Sequence, residues 1–327
     1  MPNEVTFPFE QINVVLKDGS QFTLQGSELH SALQYIPTQG YPPLIKSLKE
    51  FTFKIHQPPN WQNREVLVTN GSQDGISKSL EMIVEEGDDV LVQNPLYTGT
   101  EIILKPFRPN LLGVEQDDFG IIPKKLIDVL ETCKAKYTEE GGGRRKMPKV
   151  IYINPTGSNP TGTTMSLERR KEIYQICCKY NILILEDDAY CFLHFLDKQP
   201  VSFLSLDTEG RVIRFDSMSK VLSSGLRLGW FYWKIYFRNG VSRACYLTLH
   251  LLVHTTGLGA TSHLPQWKDI LRDYVTGMYP PVACSYGSNK TPLKQIDKAM
   301  NVLAELIREE QLLLRRKLDS LENNIIR

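Results

Sequence analysis

The sequence predicts an α/β layered domain with a mostly parallel central sheet, and three observations carry that prediction. From Arg64 to Trp230, short apolar runs of strand length alternate with longer segments of helical period. The runs are continuous and rich in β-branched residues, as in strands covered on both faces, and do not show the alternation of half-exposed strands. Between two of them lies a complete helix signature, which makes a β-α-β unit.

The candidate strands, in order, are Val66 to Val68, Val90 to Val92, Val150 to Ile153, Ile182 to Leu185, and Val212 with Ile213. Directly after the first, Gly71-Ser72 opens a helix expected to bury Ile76, Leu80 and Ile83. Between the third and fourth, Ser166 is placed as an N-cap with Glu168 in the first turn. Ile173, Ile176, Cys177 and Tyr180 then follow at i, i+3, i+4 and i+7. This order gathers ligands at the carboxyl ends of the strands. Gly141 to Lys146 interrupts the pattern and reads as a solvated, charged loop in preference to a nuclear-localisation signal. From Lys234 to Ser288 no clear period is visible. Ile296, Met300, Leu303 and Ile307 then define an amphipathic helix, with the charged run from Arg308 to Asn324 read as its continuation.

Size and charge narrow the function classes. A chain of 327 residues, 41% hydrophobic, can bury a sizeable core. Thirty-eight basic residues against thirty-seven acidic ones give no general pull toward nucleic acid or a membrane surface, so small-molecule chemistry is expected. The six cysteines show no CxxC pairs, which fits a reducing compartment. The apolar stretch from Cys245 to Leu258 carries two histidines and falls short of the about 20 residues a membrane span needs.

Five short motifs follow strand ends. Ser217 to Arg227 contains Lys220, a primary amine able to form a Schiff base with an aldehyde, flanked by hydroxyls and a guanidinium suited to a phosphate: Ser217, Ser219 and Arg227. Alone, it is also a serine-rich loop with two surface cations. Glu186 to Tyr190 places carboxylates at a strand terminus, and Asp187 is the one chosen to keep a pyridine nitrogen protonated. Asn154 to Gly162 reads as a turn cluster, or as a loop whose Asn159 bonds a phenolic oxygen. Thr69 to Gly75 starts a helix with Ser72 and Gln73 placed for an anion. Asn94 to Tyr97 sets the Tyr97 ring beside a strand end, where it is core or stacks on a flat heterocycle.

Taken in order, Gly-Ser-Gln, Asn-Pro-x-Tyr, Asn-Pro-x-Gly-x-Asn-Pro-Thr-Gly, Asp-x-x-Tyr and Ser-x-Ser-Lys with an arginine seven residues on, the chain resembles the class I aminotransferases, which depend on pyridoxal 5′-phosphate (PLP). Pro2-Asn3 with Phe7-Pro8-Phe9, Ala32 to Tyr35, Glu186 to Asp188 and Arg211 to Arg214 make it most similar to the kynurenine/2-aminoadipate aminotransferases. The likeness covers residues 2 to 233 and returns at Gln295 to Glu309.

This resemblance implies the large domain of the fold-type I PLP transferases, with Lys220 as Schiff-base lysine and proton carrier. It implies Asp187 at the pyridine nitrogen, Asn159 and Tyr190 on the phenolic oxygen, and Tyr97 on the ring. Ser72, Gln73, Ser217, Ser219 and Arg227 are implied around the phosphate. Tyr35, with Tyr97 and Asn159, is implied at the substrate, Tyr35 by reaching across a homodimer interface. The implied reaction is transamination between an amino acid (kynurenine, 2-aminoadipate or similar) and a 2-oxo acid such as 2-oxoglutarate; β-elimination is the other chemistry such a cofactor allows.

The chain also departs from that family. The resemblance starts at Pro2, after the family's glycine-rich amino-terminal arm, and between Trp233 and Pro292 there is no Tyr-x-Arg-x-x-Phe, whose arginine binds the substrate α-carboxylate in the family. Arg238, Arg243 and Arg272 have no motif tying them to that role. The expected domains are therefore an amino-terminal segment with dimer contact (1–45), a PLP-binding large domain (46–233), an atypical segment (234–291) and a carboxy-terminal helix (292–327), with the small domain truncated or replaced. A divergent insertion, an alternative transcript or a frame change each accounts for the atypical segment. A catalytically impaired PLP-binding protein is the competing reading. The first residues lack a transit-peptide pattern, so a cytoplasmic location is expected, with mitochondria as the alternative.

Overall fold

The computed structural model describes residues 3–16, 19–139, 147–194, 196 and 198–234. The loop 141–146, the irregular stretch after Lys234 and the expected terminal helix lie outside the described residues. The described residues divide into a smaller unit, up to Pro37 with Tyr41–Ile55, and a larger one, Thr38–Gly40 with the described residues from His56 to Lys234.

In the smaller unit, β1 (Gln11–Val15) and β2 (Gln21–Gln25) form an antiparallel hairpin in which Gln11 faces Gln25. The helices α1 (Gly26–Leu33) and α2 (Pro42–His56) follow. Leu44, Leu48 and Phe51 form one buried stripe along α2, so the expected boundary after residue 45 falls inside a helix. Tyr35 belongs to this unit and is 61% exposed.

The larger unit runs β3 (Arg64–Asn70), α3 (Ser72–Ile83), β4 (Asp89–Asn94), α4 (Thr98–Leu104), β5 (Asn110–Asp117), β6 (Gly120–Ile121), α5 (Pro123–Glu139), β7 (Val150–Ile153), α6 (Leu167–Tyr180), β8 (Leu183–Asp187), α7 (Phe203–Leu206), β9 (Val212–Ser217) and β10 (Leu228–Lys234). Among the described residues these strands make one sheet in the order β3-β10-β9-β8-β7-β4-β5-β6. The block β9-β8-β7-β4-β5 is parallel throughout, while β10 is antiparallel to both of its neighbours. All five expected strand segments lie in this sheet, with Ile182 just ahead of β8. The aromatic run of β10, the pair β5 and β6, and α5 were not foreseen.

The topology creates the site. After β3 the chain crosses to β4 at the far side of four strand positions, which are filled on the way back as β7, β8, β9 and, last, the antiparallel β10. The carboxyl ends of β3, β4, β7, β8 and β9 thus open on one edge, where a doubly wound sheet takes its ligands. All four residues of β7 are buried, as a strand covered on both faces requires.

On one face, Ile76 and Leu80 of α3 pack with Leu67, Val90, Val92, Tyr152, Leu185, Phe215 and Phe231. Burial of each aliphatic side chain stabilises by roughly 1.5–3 kcal/mol. Ile83 ends the helix only half-buried, and the C-cap Val84 takes the buried place expected for it. The Ser166 hydroxyl caps α6 by accepting from the Arg169 amide, as the sequence indicates.

Two buried ion clusters tie the strands together. Arg64 of β3 bonds Asp207 (2.7 Å), whose other oxygen accepts from the Tyr174 hydroxyl and the Gly210 and Arg211 amides. Arg214 of β9 holds Asp188 (2.7 Å), Glu186 (3.1 Å) and, through two nitrogens, Asp216 (2.8 and 3.1 Å). Burial pushes Asp216 up to about 6 and raises Glu186, with Arg214 opposing both shifts.

Replacing Arg214 with methionine strands three carboxylates in the core. The expected cost is about 3–5 kcal/mol by chemical denaturation at pH 8. The loss shrinks at pH 5.5, because carboxyls raised by burial take up protons as pH falls. An equal loss at both pH values would mean that the charges do not set the cost.

Candidate active site

Ten of the residues singled out from sequence line a single cavity of about 160 Å³: Ser72, Gln73, Tyr97, Asn159, Asp187, Tyr190, Ser217, Ser219, Lys220 and Arg227. Asn154, Ala189 and Ser224 complete its lining. Tyr35 lies in the smaller unit, and its expected place is in a partner's site.

Lys220 is presented by a turn at the end of β9. The Val221 and Leu222 amides donate to the Met218 carbonyl, and Met218 itself pairs with Leu228 of β10. Met218 and Val221 are buried, whereas Lys220 is exposed between these anchors. Its Nζ lies 5.7 Å from the centroid of the Tyr190 ring.

One end of the cavity is built for an anion. Gly71 precedes α3 at φ +85°, and no side chain caps the first turn of this twelve-residue helix, so Ser72 and Gln73 stand where the orphan N–H groups converge. The Arg227 guanidinium lies against Gly71, donating to the Asn70 carbonyl (3.2 Å), the Ser224 carbonyl (2.9 Å) and the Ser219 hydroxyl (3.3 Å). A Cβ on Gly71 would overlap that guanidinium, and one on Gly229 would overlap the Gly71–Ser72 backbone. Both glycines are required for strand β10 and the start of α3 to approach so closely. The Ser217 hydroxyl accepts from the Ser219 amide (3.1 Å), which shapes the same turn.

The other end holds a buried acid. Asp187, 6% exposed, accepts from the Tyr152 hydroxyl at Oδ2 (2.6 Å), and its Oδ1 has no hydrogen-bond partner. Burial pushes its carboxyl up to about 6, opposed by the Tyr152 bond and Arg214 and aided by Asp188. An unpartnered buried carboxylate oxygen is costly unless a ligand supplies a donor. Asn154 organises the floor. Its Nδ2 donates to the Asp187 carbonyl (2.6 Å), its Oδ1 accepts the Asn159 amide (2.7 Å) and its own amide donates to Gln93 (2.9 Å). Tyr97 forms the N-cap of α4, with its ring against Gly99.

An amine, an anion cradle and a buried acid in one small cavity fit an aldehyde-bearing, phosphorylated pyridine such as PLP. The sequence profile of the family "Aminotransferase class I and II" matches residues 3–319, and the chain belongs to that family, whose class I members use PLP. It is 42% identical over 234 residues to the mitochondrial kynurenine/alpha-aminoadipate aminotransferase of Rattus norvegicus, covering 70% of this chain and 55% of the relative. An aromatic amino acid aminotransferase of Schizosaccharomyces pombe is 34% identical over 235 residues, covering 66% and 48%. The solved structure of Pyrococcus horikoshii kynurenine aminotransferase, in complex with PMP, superposes with a TM-score of 0.66 at 26% identity, covering 84% of this chain and 60% of that one. The chain spans about half the length of the curated relatives it matches.

Sequence reasoning missed Asn154 and Tyr152 as parts of the site. Asn154 heads the Asn-Pro-x-Gly-x-Asn motif, so its signal was present. Tyr152 was hidden inside an apolar strand. Among the described residues no helix is long and apolar enough to cross a membrane.

Proposed function

We propose that the chain is a PLP-dependent aminotransferase that takes the amino group of kynurenine, 2-aminoadipate or a related amino acid and passes it to a 2-oxo acid such as 2-oxoglutarate. The observation that carries this reading is the convergence of Lys220, the unpartnered Asp187 Oδ1 and the Ser72/Gln73/Arg227 cradle on one cavity. The names of the Rattus norvegicus and Pyrococcus horikoshii relatives support the choice of amino acid.

Bound PLP supplies an electron sink for the bonds at the substrate Cα. Lys220 Nζ would hold the cofactor covalently and would carry the proton taken from the substrate Cα. Asp187 would keep the ring nitrogen protonated, Asn159 and Tyr190 would bond the phenolic oxygen, Tyr97 would lie against the ring, and Ser72, Gln73, Ser217, Ser219 and Arg227 would hold the phosphate. Residues 46–233 form the cofactor domain and 1–45 the dimer contact. The active form is a homodimer in which Tyr35 reaches the partner's substrate. The protein works in the cytoplasm; the relative's name sets mitochondria as the alternative that fractionation tests.

The test is the absorption spectrum of the purified protein with PLP, before and after 2-aminoadipate or kynurenine. The expected result is a visible band of lysine-bound cofactor that converts to the amine form, with one 2-oxo acid released per site. A band that stays unchanged by substrate would instead identify a PLP-binding protein without turnover, and no band would overturn the Lys220 assignment.

A further inference from the structure

We propose that Tyr152 is a positioning residue that fixes the rotamer of Asp187, stabilises its carboxylate form and leaves Oδ1 as the oxygen available to the cofactor's ring nitrogen. The proposal rests on the function stated above and assigns a residue outside the cavity lining.

The geometry follows from strand register. Tyr152 of β7 pairs with Leu185 of β8, and Leu185 and Asp187 share a face because side chains alternate along a strand. A side chain as long as tyrosine reaches from beside Leu185 to the Asp187 carboxylate, and the hydroxyl donates to Oδ2 at 2.6 Å. The ring is held by the apolar cluster that includes Val92, Leu185 and Phe215. Phenylalanine would satisfy that cluster equally well, so packing does not explain the hydroxyl. Burial pushes the Tyr152 hydroxyl well above its usual range, which keeps it a donor. The Asn154 amide fixes the Asp187 carbonyl at the same time, so neither backbone nor side chain is left to turn.

The ionisable groups that face Asp187 are Tyr152 on β7, Asp188 just past the end of β8, Arg214 and Asp216 on β9, and Lys220 across the cavity, with Tyr97 beyond Tyr152. Of these, Tyr152 and Arg214 favour the charged form, Tyr152 by a side-chain hydrogen bond to the carboxylate, and the Ala189 backbone amide favours it more weakly. Removing the hydroxyl therefore raises the proton affinity of Asp187. Below its titration midpoint, pairing with a protonated ring nitrogen requires Asp187 to release a proton first, and cofactor affinity falls.

The experiment measures PLP dissociation constants of the full chain between pH 5.5 and 8 for wild type and Tyr152→Phe. The ratio of the two constants cancels every titration that both proteins share. The expected ratio grows about tenfold from pH 8 to pH 5.5, the equivalent of one pKa unit. In an Asp187→Asn background the same substitution is expected to give a ratio independent of pH. A pH-independent ratio in the native background overturns the Tyr152 assignment and leaves the enzyme reading standing. Failure of wild type to form the lysine-bound band overturns the enzyme reading itself.

Discussion

Replacing Lys220 with alanine is expected to remove the visible band of the bound cofactor and to lower transamination by at least about 10⁴-fold. In the proposed reaction the amine would do two jobs that no neighbour could take over: bonding the aldehyde carbon, and carrying the proton between two carbons, a role worth about 10²–10⁴ by itself. The turn around it makes the test clean. Met218 and Val221 are the buried anchors, and Lys220 is exposed between them, so alanine leaves no core cavity and far-UV circular dichroism should be unchanged. Lys220→Arg separates charge from nucleophile. Guanidinium keeps the cation and cannot deprotonate at ordinary pH, so this variant is expected to be as inactive as alanine. Activity in either variant within tenfold of wild type would place the reactive amine elsewhere.

The parts of this site that the sequence revealed are those whose chemistry is local. Ser72 and Gln73, Asp187, and Ser217 to Arg227 each follow a strand end, and a strand end in a parallel sheet is where ligands gather, so residue type and position pointed the same way. Strands β3, β4, β7, β8 and β9 were visible because β7 and its neighbours are buried on both faces and read as unbroken apolar runs. Strand β10 was missed for a related reason. Its run Gly229 to Trp233 is as apolar as the others, yet it comes straight after the turn that carries Lys220, with no helix to mark a crossover, because it returns antiparallel. Helix α5 carried an overlooked signal in Leu126, Val129, Leu130 and Cys133. Tyr152 could not be found this way at all. Its function depends on the β7–β8 register, a tertiary fact, while along the chain it is one more apolar residue of a buried strand.

The second large effect is expected at Asp187. Asp187→Ala should lower transamination at least about 10³-fold, some 4 kcal/mol of barrier, because the ring nitrogen loses its ionic partner in a buried setting. Tyr190→Phe removes one hydrogen bond from a half-buried ring and should cost no more than about tenfold. Equal activities in the two variants would count against the assignment of Asp187 to the ring nitrogen. The same carboxylate predicts a trade between function and stability in the cofactor-free protein. Its folded value of about 6 lies above the ordinary 3.8. The sign follows from linkage: the favourable contribution is full below 3.8 and is lost as pH rises through 6, about 3 kcal/mol in all. Asp187→Asn keeps an oxygen for the Tyr152 hydroxyl but carries no charge into the core. It should therefore make the cofactor-free protein more stable than wild type at pH 8 in chemical denaturation, with the advantage disappearing near pH 4, while cofactor chemistry is lost. A variant that is both inactive and less stable at pH 8 would mean that Asp187 is held for packing, whereas gain of stability with loss of activity is the signature of a charge kept in the core for the cofactor.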